Sequence, residues 1–126
     1  MGRYTFGKAE KLCSKLEIDA LFKDGKSFKE FPIRVMYLRL EDSSANAKVL
    51  ISVPKKRFKK AVSRNHIKRL IRETYRLNKS ELIENWHNSG KYFALAFVYI
   101  GNEIPEFDDL TVVMKRVIDK LNTLEA

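Results

Sequence analysis

Residues 92–100 read YFALAFVYI, nine residues without a single charge. A membrane helix needs about 20 such residues, so the run reads as a strand within a domain. A strand that is apolar on both faces must be covered on both, and that puts it at the centre of a sheet. The rest of the chain supplies what surrounds it. Residues 32–40 (PIRVMYLRL) alternate, with Ile33, Val35 and Tyr37 on one face and Arg34, Met36 and Leu38 on the other. Residues 48–53 (KVLISV) form the returning strand, ended by Pro54. The polar EDSSANA between them reads as a hairpin-like turn.

Helical patterns fill the remainder. Leu16, Ile18, Leu21 and Phe22 give a short one-faced helix with Gly25 as a left-handed stop. Residues 80–86 offer one or two more turns before Gly90. Asp108 or Asp109 opens a last helix whose core stripe is Leu110, Val113, Met114, Val117, Ile118, Leu121 and Leu124. The order is helix, two or three strands, basic helix, strand, helix, which is an α+β arrangement in one domain of 126 residues. The first ten residues are expected to be loosely held. With one cysteine, Cys13, no internal disulfide or cysteine-based zinc site is expected, and a reduced, cytoplasmic setting follows. MGRYTFGKAEKLC holds no long apolar run, so no signal peptide is expected.

Function is concentrated in residues 55–76, KKRFKKAVSRNHIKRLIRETYR. These 22 residues hold ten Lys or Arg and one acid, Glu73. Their net charge of +9 equals that of the entire chain, so the other 104 residues are neutral. Charge so localised is a binding surface for a polyanion, which releases condensed counterions as its phosphates are neutralised. A helical projection from Arg64 puts Asn65, Lys68, Arg69, Arg72 and Arg76 on one arc of roughly 140°. Ile67, Leu70, Ile71, Thr74 and Leu77 fall on the opposite side, facing the core. Ser63 is a reasonable N-cap. Asn65 either caps the helix or faces RNA phosphates or metal-bound water. His66 lies at the flank of the arc and reads as a structural histidine. Neither it nor His87 has metal-ligand spacing, and no nucleophile–base set or carboxylate pair stands out. No nuclease site is legible in the protein.

SRNHIKRLIRETYR (63–76) resembles the signature of the bacterial ribonuclease P protein subunit, an Arg-Asn-Arg triplet followed by Ile-Lys-Arg and Leu-Ile-Arg-Glu. Arg64, Asn65, Ile67, Lys68, Arg69, Leu70, Ile71, Arg72 and Glu73 match in place. SVPKK (52–56) resembles the family's strand end with paired lysines, and LFKDGKSF (21–28) its Phe-Lys-x-Gly turn. Two positions depart: His66 stands where the triplet has arginine, and Ile18 where an aromatic often accompanies Phe22. The resemblance implies a two-layer sandwich of a roughly four-stranded sheet and three helices, ribosomal-protein-like. It also implies a left-handed βαβ crossover against the usual rule. It further implies that catalysis belongs to a partner RNA, which holds the Mg²⁺, and that the protein is a monomer assisting removal of the 5′ leader from precursor tRNA. Lys55, Lys56, Arg57, Lys59, Lys60, Arg64, Asn65, His66, Lys68, Arg69, Arg72 and Arg76 would contact the catalytic RNA. Ile18, Phe22, Arg34 and Met36 would line a groove for the leader, where unpaired bases stack on apolar side chains. A structural or ribosomal RNA-binding protein without a catalytic role is the alternative reading.

Overall fold

The computed structural model describes residues 7–124. A short 3₁₀ helix, Lys8–Glu10, precedes α1 (Lys15–Asp24), β1 (Lys26–Glu30), β2 (Ile33–Leu40) and β3 (Ala47–Ser52). Then come α2 (Ala61–Asn78), α3 (Ser80–Ser89), β4 (Tyr92–Tyr99) and α4 (Phe107–Asn122). The four strands form one sheet in the order β1-β2-β4-β3. The apolar run is central as expected, with β2 antiparallel on one side and β3 parallel on the other.

That placement corrects the hairpin. β2 and β3 are separated by β4, so residues 41–46 do not turn tightly but cross over the start of β4. They are tied there: Phe93 N–H donates to the Asn46 carbonyl at 2.9 Å, and Asn46 Nδ2 donates to the Lys91 carbonyl at 2.9 Å. The reason is the strand itself. A run with no polar edge is buried best between two partners, which displaces the local pairing of β2 with β3.

Helices cover both sheet faces, and there are four rather than three. Ile33, Val35, Val49, Phe93, Leu95, Phe97 and Tyr99 point to the face packed by α2, α3 and α4. Ala94, Ala96, Met36, Leu38 and Leu50 point to the other, where α1 contributes Leu21 and Ile18 and the chain before it Leu12. The α+β class and the four-stranded sheet stand, with α1 as an additional layer. Of the first ten residues, 1–6 lie outside the described residues.

The local signals differ in instructive ways. Gly25 has extended backbone (φ −70°, ψ 157°), so it is no left-handed stop. It is needed because a Cβ there would lie 2.3 Å from the Leu21 carbonyl oxygen and 3.1 Å from that of Tyr37. The left-handed glycine is Gly90 (φ 65°), which ends α3. α2 begins at Ala61 with Lys60 as N-cap, not at Ser63. α4 starts at Phe107 with Glu106 as N-cap, leaving Asp108 and Asp109 in the first turn, where they complement the helix dipole.

Candidate nucleic-acid interface

The basic segment divides into a loop and a helix. Residues 55–60 turn sharply after Pro54, whose carbonyl accepts from Arg57 N–H and Phe58 N–H at 3.2 and 3.3 Å. Phe58 anchors this loop against Tyr99, with ring centroids 5.9 Å apart. Lys55, Lys56, Arg57, Lys59 and Lys60 are all exposed. The N-terminus of α2 follows at once, with no acidic residue in its first turn and no side-chain cap. Its free N–H groups and the lysines beside them make one positive region suited to phosphate.

Along α2 the helical sorting holds in its first half. Ile67 and Ile71 are buried and Leu70 half-buried, while Asn65, His66, Arg69 and Arg72 are exposed and Lys68 half-buried. Among the described residues, Lys55, Lys56, Lys59, Lys60, Lys68, Arg69 and Arg72 form no ion pair with a carboxylate. Three arginines are partly engaged. Arg57 Nη1 donates to Asn102 Oδ1 at 2.9 Å. Arg64 folds back, its Nη1 donating to the carbonyls of Phe58 and Lys59 at 2.8 Å each, so it ties the loop to the helix. Arg76 donates through Nε and Nη2 to the two oxygens of Glu73 at 2.7 and 2.9 Å. That hydrogen bond holds the Glu73 carboxyl below the usual glutamate range and raises the guanidinium in turn.

Three expectations along α2 change. Asn65 sits in the second turn and is exposed, so it cannot cap the helix. His66 is exposed rather than packed as a structural histidine. Leu77, expected in the core, is 41% exposed, whereas Tyr75 and Lys79 are buried. The core-facing side of α2 shifts round the helix at its C-terminal end. There Tyr75 meets Phe97 edge-on at 5.3 Å, and the Lys8–Glu10 segment covers Lys79 through its ion pair with Glu10. Burial raises the Tyr75 phenol well above its ordinary value, and the Glu10 charge adds to the shift. A projection of α2 alone contains no trace of this, since the covering residues lie about 65 positions away in sequence.

The second candidate surface is the sheet face beneath α1. Ile18 and Met36 are half-buried in the same small cluster. Phe22, on α1 beside the fully buried Leu21, is 48% exposed. Arg34 is exposed on the Met36 face, opposite Val98 in register, and its Nη2 reaches Ser27 Oγ at 3.5 Å. The four residues thus share the α1 side of the sheet, and the end around Arg34, Lys29 and Ser52 extends past the cluster that α1 covers. A separate cleft of about 530 Å³, lined by Phe31, Tyr99, Glu103, Ile104, Glu106 and Leu110 among others, contains none of the expected site residues. Among the described residues no group of three or more His, Cys, Asp or Glu side chains is arranged to hold a metal ion.

The sequence model of the family described as Ribonuclease P matches residues 6–122. This chain belongs to the ribonuclease P protein family. Ribonuclease P protein components are similar to it over nearly the full length: that of Porphyromonas gingivalis is 40% identical over 120 residues, covering 93% of this chain and 88% of the relative. That of Chlorobium phaeobacteroides is 33% identical over 129 residues, covering 94% and 88%. Among solved structures, a mutant Staphylococcus aureus RNase P protein superposes with a TM-score of 0.72 at 21% identity, covering 90% of this chain and 88% of that one. The Thermotoga maritima RNase P protein gives 0.63 at 25% identity, covering 93% and 99%. The fold is therefore the RNase P protein fold, and the chain is an RNA-binding protein component of ribonuclease P, acting in tRNA processing with the RNase P RNA. No helix among the described residues is long and apolar enough to cross a membrane.

Proposed function

We propose that the protein is a non-catalytic subunit that grips two RNAs on two different surfaces. The observation that supports this most is the separation of the surfaces. One is a ridge of mostly exposed cations on the 55–60 loop and α2; the other is the apolar and cationic sheet face beside α1. The ridge carries charge without shape and suits the sugar–phosphate backbone of the catalytic RNA, through Lys55, Lys56, Arg57, Lys59, Lys60, Asn65, His66, Lys68, Arg69 and Arg72, with Arg64 and Arg76 as supporting members. The sheet face suits a single strand: Phe22, Ile18 and Met36 offer apolar contact to unpaired bases, and Arg34 a cation to their phosphates. The 5′ leader of precursor tRNA is such a strand. Mg²⁺ in this reading is held mainly by the partner RNA, and no step runs through a metal on the protein. The subunit acts as a monomer in the cytoplasm.

Reconstitution with the RNase P RNA of the source organism tests this reading. Cleavage of precursor tRNA at low Mg²⁺ should require both components, with the RNA-free protein inactive. Metal-dependent cleavage by rigorously RNA-free protein would overturn it. Leader-bearing precursor should bind the holoenzyme more tightly than mature tRNA does, and equal affinities would remove the leader assignment alone.

A further inference from the structure

Lys79 occupies the single-residue junction between α2 and α3 and is 4% exposed. A buried ammonium is costly unless paired. Its partner is Glu10 in the 3₁₀ helix, 69 residues away, and its Nζ also lies 5.9 Å from the Tyr75 ring centroid. The other Glu10 oxygen accepts from Gly7 N–H at 2.8 Å. The chain beyond Glu10 is pinned step by step. Lys11 bridges to Val49, Leu12 N–H donates to the Val49 carbonyl at 3.0 Å, and the Leu12 side chain is buried against the α1 cluster. Ser14 then caps α1 by accepting from Glu17 N–H at 3.4 Å. Glu10 is thus four residues from the cap of the helix that carries Ile18 and Phe22.

α1 needs external placement. At ten residues it is too short to be stable alone, and its seat is a small cluster of four buried residues, Leu12, Leu21, Ala94 and Ala96. Buried ion pairs contribute little net stability compared with apolar replacements, but they fix which groups meet. Besides the packing of Leu12, Leu21 and Ile18, α1 is tied to the sheet by the looser Lys48–Glu17 pair at 3.4 Å.

We propose that Lys79, through its ion pair with Glu10, is a positioning residue that sets α1 over the sheet and thereby determines discrimination for the leader. It rests on the reading of the α1 face as the leader surface. Lys79 itself is covered and touches neither RNA.

The test is a substrate comparison in the reconstituted holoenzyme. Lys79→Met leaves Glu10 without its ion-pair partner, so the double variant Lys79→Met/Glu10→Met is made as well; it removes both charges and leaves no buried one uncompensated. The KM for leader-bearing precursor should rise about fivefold in the double variant, within the range that indirect positioning residues move. Affinities for mature tRNA and for the catalytic RNA should stay within twofold, kcat should hold, and Lys79→Arg should recover most of the leader preference. A double variant with the wild-type leader preference overturns the inference, as does a parallel loss for leader-bearing tRNA, mature tRNA and catalytic RNA. If the wild-type protein shows no leader preference, the failure belongs to the leader reading and not to Lys79.

Discussion

The two faces of the sheet are built from the same strands but do different work. Along β4 the first face receives Phe93, Leu95, Phe97 and Tyr99, and the second Ala94, Ala96 and Val98. The large side chains meet α2 and α4, of 18 and 16 residues. Trp86 of α3 joins them, its ring centroid 4.4 Å from that of Phe93. The alanines let α1, of 10 residues, lie close over a small part of the sheet and leave the rest open. One face is closed by volume and sets stability. The other is covered less and leaves part of its surface accessible.

The most severe way to break this contrast is to hollow out the first face. Phe97→Ala should cost about 3–5 kcal/mol through cavity formation, read from the urea midpoint at constant slope. Phe22→Ala on the second face should stay within about 0.5 kcal/mol, as half-exposed positions do. Phe22→Ala should instead weaken leader-bearing precursor tRNA, by about 1–3 kcal/mol if one base stacks there. Similar stability losses for the two variants would erase the distinction between the faces.

Alkaline pH sharpens the same contrast, because the first face holds buried phenols. Burial raises Tyr75 and, with help from the nearby Glu103, Tyr99, whose hydroxyl donates to the Glu103 carbonyl at 2.7 Å. Both folded-state pKa values lie above the unfolded ones. Stability is therefore whole below about pH 10 and declines as pH rises through the ordinary tyrosine value, by up to about 1.4 kcal/mol per unit for each phenol kept protonated. Tyr75→Phe should flatten the alkaline limb of a denaturation series. An unchanged limb would mean that Tyr75 is not closed off from water.

On α2 the contrast recurs within one helix. Ile67→Ala should cost about 2–5 kcal/mol. Arg72→Ala should leave stability nearly intact yet lower the log–log salt slope of RNA binding by roughly 0.7–0.9, one phosphate contact. Arg64→Ala falls between them. It forfeits two hydrogen bonds to the Phe58 and Lys59 carbonyls and should cost about 1 kcal/mol, because bonds to a charged donor are worth more than that when buried and less when half-exposed. If Arg64→Ala matches Arg72→Ala in both readouts, the loop is not held by that side chain.

What could be read in the sequence was whatever repeats at a fixed period within one element. The α4 stripe, the alternation of β2 and the unbroken apolarity of β4 all placed their side chains correctly, because each is determined by neighbours three, four or two residues away. β1 escaped because KSFKE offers one inward side chain, Phe28, on an edge strand too short to show alternation. The β2–β3 hairpin failed because pairing is settled by competition for β4, which lies some 40 residues downstream. Of the site, the exposed cations followed from helical sorting, whereas the inward turn of Arg64 and the burial of Tyr75 and Lys79 depend on contacts from the loop, β4 and the N-terminal segment. Local periodicity carries no information about those.

The finest test concerns the one acid in the basic segment. The Arg76 hydrogen bond lowers the Glu73 pKa, so the pair's contribution is present above the ordinary glutamate value and is lost as pH falls through the folded-state value. Glu73 is 41% exposed, which limits that contribution to the few tenths of a kcal/mol typical of surface pairs, roughly 0.2–1 kcal/mol. Glu73→Gln should therefore barely move stability at neutral pH and should remove a small loss that sets in as pH falls below the ordinary glutamate value. Its larger signature should be on RNA. With the carboxylate charge gone, the net positive charge of α2 rises by one, raising affinity and steepening the salt dependence by up to roughly 0.7–0.9. An unchanged salt slope in Glu73→Gln would place Arg76 outside the ridge and confine the RNA contact to the first three turns of α2 and the loop before it.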